Sequence, residues 1–125
     1  MKFQLDEQLG GNAISQHDGQ CVWVNGLPYT SSVLVPWRGE VTLWDVKSFE
    51  AFTQDHFERI RALKPELVIL GTGAKLRFPP PRLYRDLIDA GIGMETMDLG
   101  AACRTYNVLA AEGRAVLAAL LIEES

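Results

Sequence analysis

The spacing of apolar positions changes along the chain, and each change predicts an element. Leu67-Val68-Ile69-Leu70 is an unbroken apolar run, the pattern of a strand buried on both faces of a mostly parallel sheet. Gly71-Thr72-Gly73 ends it, and a stiff Pro79-Pro80-Pro81 segment leads onward. Upstream, residues 21–24 form a short β-rich run followed by Asn25-Gly26, a strong hairpin signal. Residues 29–35 read as the return strand, closed by Pro36, and residues 41–46 as a third strand. The three together predict an antiparallel meander. Residues 1–19 read as an extended lead-in, with turns at Gly10-Gly11 and His17-Asp18-Gly19.

From Ser48 the period becomes helical. Phe49, Phe52, Phe57, Ile60 and Leu63 make one stripe, Ser48 or Thr53 offers an N-cap, and Pro65 stops the helix. A second helix is expected from Pro80 or Pro81, burying Leu83, Tyr84, Leu87 and Ile88 and ending at Gly91. Gly93–Met97 is a short strand. Asp98 caps a last helix with an apolar face of Leu99, Ala102, Cys103, Tyr106, Leu109 and Ala110. After Gly113, residues 115–122 form an apolar strand. The order βββ-α-β-α-β-α-β predicts an α/β fold, a mixed sheet flanked by helices with an antiparallel N-terminal part. With 125 residues and no repeats or linkers, residues 1–125 read as a single domain.

Composition narrows the function classes. An apolar fraction of 47% with 22% charge is globular. A net charge of −4 argues against general nucleic-acid or membrane-surface binding, and no window approaches the roughly 20 apolar residues of a membrane span. Lys2 is followed by no apolar h-region, and Asp6-Glu7 interrupts any transit-like pattern, so the chain as given reads as cytoplasmic. Two cysteines, Cys21 and Cys103, make no disulfide framework there.

Charge is also unevenly placed. Residues 75–85 hold Lys75, Arg77, Arg82 and Arg85 and no acid, a local +4 that leaves −8 for the remainder. This patch follows the carboxyl end of a buried strand, where ligands collect in open α/β sheets. Gly71, Thr72 and Gly73 could form a backbone nest for an anion, ringed by Lys75, Arg77 and Arg82 and by Arg104 from the last helix. The plainer reading is a tight turn. Leu76 stands where a dinucleotide fingerprint needs its third glycine, and GxxxxGK[ST] is missing. Asn107 could satisfy backbone groups of the same loop.

No catalytic constellation appears. Cys103 neighbours Arg104, which could activate it, yet it falls on the apolar face, where free cysteine is usually inert packing. His17 and His56 read as surface residues, Ser31-Ser32 lacks a GxSxG elbow, and neither metal nor cofactor is expected.

Three stretches carry a family resemblance: Pro65-Glu66-Leu67-Val68-Ile69-Leu70-Gly71-Thr72-Gly73, Arg104-Thr105-Tyr106-Asn107 and Glu112-Gly113-Arg114-Ala115-Val116. Together they resemble the domain of unknown function 498 family, which includes mitochondrial complex I assembly factor 3 and the adipogenesis-associated domain-containing protein. The likeness runs from Gly26-Leu27-Pro28-Tyr29 to the last strand. It implies a compact α/β domain with a mixed sheet and no established catalytic residues; eukaryotic members act as assembly factors for a respiratory membrane complex. The expected function is therefore a non-enzymatic interaction or assembly factor with a protein partner. The alternative is a small-molecule anion binder or enzyme using the Gly71–Gly73 crevice. Sheet edges bearing Trp23, Trp37 and Trp44 add a route to a homo-oligomer.

Overall fold

The computed structural model describes residues 11–123, and the first ten residues of the expected lead-in lie outside it. The strands β1 (Ile14–His17), β2 (Val22–Val24) and β3 (Leu27–Tyr29) form an antiparallel sheet in that order. Asn25 and Gly26 both take positive φ, 53° and 85°, which is the two-residue turn whose twist matches the flanking strands. The strands β4 (Val33–Pro36), β5 (Thr42–Leu43), β6 (Leu67–Gly71), β7 (Gly93–Met97) and β8 (Val116–Leu120) form a second sheet, ordered β5-β4-β8-β6-β7. β6 runs parallel to β7 and β8, whereas β4 runs antiparallel to β8 and β5. The sheet is mixed, as the sequence predicts.

Side chains alternate across this sheet and sort the core into two faces. Val33, Val35, Ile69, Ala118 and Leu120 join the helix α3 (Leu99–Ala111) and the small sheet through Ile14, Val22 and Val24. On the opposite face Leu34, Val68, Leu70, Leu117 and Ala119 pack with Trp44, Phe52, Phe57, Ile60 and Leu87. These come largely from α1 (Gln54–Ala62), α2 (Arg85–Asp89) and the segments before α1. Both faces of β6 are therefore covered, which explains its continuous apolar run. Each fully buried side chain such as Phe57 or Ile60 contributes about 1.5–3 kcal/mol by leaving water.

The helix starts follow local chemistry. The Asp98 carboxylate accepts from the Ala101 N–H at 2.9 Å and caps α3. At α1 the Thr53 N–H donates to His56 Nδ1 at 2.9 Å, so an imidazole does the work of the usual capping-box carboxylate.

Four expectations are corrected in detail. The return strand is split, because the chain leaves the small sheet after Tyr29 and enters the large one at Val33. Ser32 fixes this crossing: its hydroxyl accepts from the Ile122 N–H at 2.8 Å and its carbonyl accepts from the Trp44 N–H at 2.9 Å. The lead-in contains β1, which pairs with β2 across a bulge. The first helical stripe breaks into a 3-10 turn, Phe49–Ala51, and α1, since Phe52 takes an extended ψ of 134° between them. Finally, Ile88 is 58% exposed and Leu63 is exposed, so neither belongs to the buried faces expected of them.

Candidate functional site

The expected crevice lies where β6 ends. At Gly71 a Cβ would stand 3.1 Å from both Ala102 Cβ and Leu120 Cδ2, so glycine lets α3 pack close without either neighbour shifting by a few tenths of an ångström. Thr72 is fully buried. Its N–H donates to the Met97 carbonyl at 2.9 Å, and its hydroxyl donates to the Lys75 carbonyl at 2.6 Å while accepting from the Arg77 N–H at 3.0 Å. Gly73 holds φ +88°, and its carbonyl accepts from the Leu99 N–H, the first residue of α3, at 2.8 Å. The turn is thus hydrogen-bonded into its own loop and into the helix that follows β7.

Arg77 faces inward. Its Nη2 donates to the Thr72 carbonyl and to Glu123 Oε1, each at 2.6 Å, and its guanidinium lies 4.8 Å above the Phe49 ring. The other Glu123 oxygen accepts from the Phe49 N–H at 2.9 Å. The hydrogen bond from Arg77, with help from the Phe49 amide, holds the Glu123 carboxyl below the usual carboxylate range. A carboxylate does sit beside the Gly71-Thr72-Gly73 turn, and the chain supplies it itself.

The side chains of the remaining expected residues do not join the Arg77–Glu123 contact. Lys75 and Arg82 are exposed, Arg82 within a 3-10 turn, Pro81–Leu83. Arg104 is exposed on α3, where Gly100 leaves room between it and His17: a Cβ there would lie 3.3 Å from Arg104 Nη1 and 3.3 Å from His17 Cε1. Asn107 does not serve the glycine turn. Its Oδ1 accepts from the Ile14 N–H and its Nδ2 donates to the Ile14 carbonyl, both at 2.8 Å, so it clamps β1 onto α3.

Sequence reading missed Glu123 and Phe49. The signal for Glu123 was topological. Parallel neighbours deliver their carboxyl ends to the same side, and Gly71 pairs with Leu120 three residues before Glu123. It also missed a knot that ties the N-terminal segment: the Tyr106 hydroxyl donates to the Pro36 carbonyl at 2.9 Å, and Asn12 Nδ2 donates to the same oxygen at 2.8 Å.

The other reactive groups are packed. Cys103 is 1% exposed, and burial pushes its thiol up to about 12, with Arg104 offsetting only part. Burial also raises the Tyr106 phenol. Trp44 is buried, with its ring edge-on to Phe57 at 6.2 Å, so it offers no contact to a second copy. Among the described residues, no group of three or more His, Cys, Asp or Glu is placed to hold a metal ion, and no helix is long and apolar enough to cross a membrane. An open cleft of about 490 Å³ lies at the opposite end of β6, lined by Arg61, Ala62, Lys64, Pro65, Ala90 and Ile92.

A sequence model described as "Protein of unknown function (DUF498/DUF598)" matches residues 14–121, from β1 to just past β8. The chain belongs to this family. Among its relatives, the bovine (Bos taurus) NADH dehydrogenase [ubiquinone] 1 alpha subcomplex assembly factor 3 is 36% identical over 83 residues, covering 65% of this chain and 45% of that protein. The "13 kDa major membrane protein" of Francisella tularensis is 32% identical over 71 residues, covering 57% of this chain and 58% of that protein. The chain thus spans only about half the length of the curated relatives it matches. A crystal structure of a Bordetella parapertussis protein superposes with a TM-score of 0.86 at 32% identity, over 91% of this chain and 98% of that one. An outer membrane protein from Bartonella henselae gives 0.79 at 29% identity, over 93% and 98%. A Bordetella pertussis protein described as an Mth938-like domain gives 0.80 at 27%, over 91% and 87%. The architecture is that of the family throughout.

Proposed function

We propose that the chain is a non-enzymatic assembly factor, binding a subunit of a respiratory or comparable membrane complex while that complex is built. The observation that carries this reading is the closed strand end. Where an α/β enzyme keeps an open crevice for substrate, Arg77, Glu123, Phe49 and Thr72 bond to one another, leaving only Arg77 Nε buried without a partner among the described residues. Membership of a family with relatives named as assembly factors supports the same reading. A protein that works by surface recognition needs a rigid scaffold rather than an activated nucleophile, and the protonated, buried Cys103 fits that role. The test is native electrophoresis of membranes from cells lacking the gene. Subassemblies of a respiratory complex should accumulate and disappear when the wild-type chain is restored. Unchanged assembly of every respiratory complex contradicts the proposal.

A second reading draws on the carboxylate already held at the turn. A small anion could enter at Gly71, Thr72, Gly73 and Arg77 by displacing Glu123, with Lys75, Arg82 and Arg104 adding long-range attraction. A thermal-shift screen of carboxylates and phosphates decides it, because a ligand at about 100 times its Kd adds roughly 2.7 kcal/mol. No shift with any of them removes this reading.

A further inference from the structure

The inward turn of Arg77 has a consequence for its neighbours. In an extended segment, side chains two apart share a side and the one between takes the other. With Arg77 drawn in to Thr72, Glu123 and Phe49, Leu76 and Phe78 remain outside, 52% and 70% exposed. Pro79 is buried behind them, and Pro80 holds an extended backbone at φ −58°, ψ 132°. A stiff segment thus holds one aliphatic and one aromatic side chain in water.

Cations surround this tip. Lys75, Arg82 and Arg85 are exposed, and no salt bridge among the described residues engages them. The first acid that follows, Asp86, lies instead beside Glu58 of α1, and the closeness of the two carboxyls raises that of Glu58. The remainder of the chain is strongly acidic.

We propose that residues 75–85 form a docking tip for an anionic lipid bilayer, with Leu76 and Phe78 entering the headgroup boundary and Lys75, Arg82 and Arg85 contacting lipid phosphates. Charge complementarity selects this occupant. An anionic surface repels the acidic remainder and attracts this segment most, since in the other cationic stretch, residues 59–64, Arg59 and Arg61 are paired with Asp45 and Glu58. The same charge that opposes general membrane adsorption therefore favours one orientation. Aromatic and aliphatic groups flanked by Lys and Arg match the boundary between acyl chains and headgroups. A bilayer also accepts a protruding tip without a complementary groove. The Arg77–Glu123 contact is the clamp that presents it. This goes beyond the assembly role and is tested without any protein partner, so either idea can fail alone.

The experiment is flotation of the purified chain with vesicles of phosphatidylcholine, with and without phosphatidylglycerol. Binding is expected only with the anionic lipid and should fall as salt rises. The double variant Leu76→Ser, Phe78→Ser should bind at least about tenfold more weakly. Lys75→Glu and Arg82→Glu should each weaken binding about fivefold or more. Leu27→Ser, at a side chain 62% exposed in the hairpin, should leave binding unchanged. All these variants should keep the wild-type melting temperature. No flotation with anionic vesicles overturns the proposal, as does equal binding by the tip variants or an equal loss in Leu27→Ser. Loss of a purified acidic protein partner in the tip variants, with no vesicle binding by the wild type, reassigns the tip to a protein and also overturns it.

Discussion

Arg77 Nη2 and Glu123 Oε1 lie 2.6 Å apart across 46 residues of chain, joining the loop after β6 to the segment after β8. Because the guanidinium also holds the Thr72 carbonyl and covers Phe49, this is a structural arginine. Arg77→Ala should destabilise the fold by about 1.5–3 kcal/mol, the range for hydrogen bonds to charged groups. Arg104→Ala, at an exposed helix position, should stay within about 0.5 kcal/mol of wild type. Urea unfolding of the two single variants measures both.

The same contact sets an acid limb. Glu123 titrates below its ordinary 4.5 when folded, so the folded state binds fewer protons than the unfolded state between the two values. Its contribution is fully present above 4.5 and is lost as pH falls through the lowered folded value. Glu123→Gln should flatten that part of the stability profile and leave the profile near neutrality parallel to wild type. Melting temperature measured across the acid range checks it.

Cys103 gives the opposite sign at the alkaline end. Its thiol is raised from 9.0 to about 12 by burial, so its contribution is complete below 9.0 and is lost as pH rises through about 12. At neutral pH the folded chain should leave Cys103 unmodified by iodoacetamide, and urea should expose it. Peptide mapping after labelling reads the difference. Rapid native labelling would mean that α3 opens far more readily than its packing implies.

Much of the fold was legible from local pattern. The run 67–70, the Asn25-Gly26 hairpin, the Asp98 cap and the last apolar strand each have a signal within a few residues, and each appears in place. What was not legible depends on distant partners. β1 holds only one strongly apolar residue, Ile14, and is fixed by Asn107 from 93 residues away. The change of sheet at Ser32 depends on Ile122 and Trp44. In the candidate site, the positive φ of Gly73 follows from its turn, but the inward turn of Arg77 needs Glu123, which only the β6–β8 register brings near.

The Asn107 clamp predicts a local effect. Asn107→Ala leaves the Ile14 N–H and carbonyl without their side-chain partner and should cost about 1–3 kcal/mol. Hydrogen exchange should rise first in β1 and β2 and least in β6 and β8, whose ladders are independent of it.

Gly73→Val tests the turn itself. A β-branched residue at φ +88° is strained, although its Cβ would meet Arg77 Nη2 at 3.4 Å and Glu123 Oε1 at 3.6 Å in ordinary contact. A loss larger than that of an ordinary surface substitution is expected in thermal melts, whereas Gly19→Ala, also strained at φ +96° but unbranched and with open space around it, should lose less.

The most direct measurement is affinity purification of the tagged chain from its native cells, with mass spectrometry of both co-purifying proteins and small molecules. Reproducible recovery of subunits of one membrane complex, without an enriched anionic metabolite, is the predicted result. An enriched carboxylate or phosphate compound, with no protein recovered above control, would contradict it.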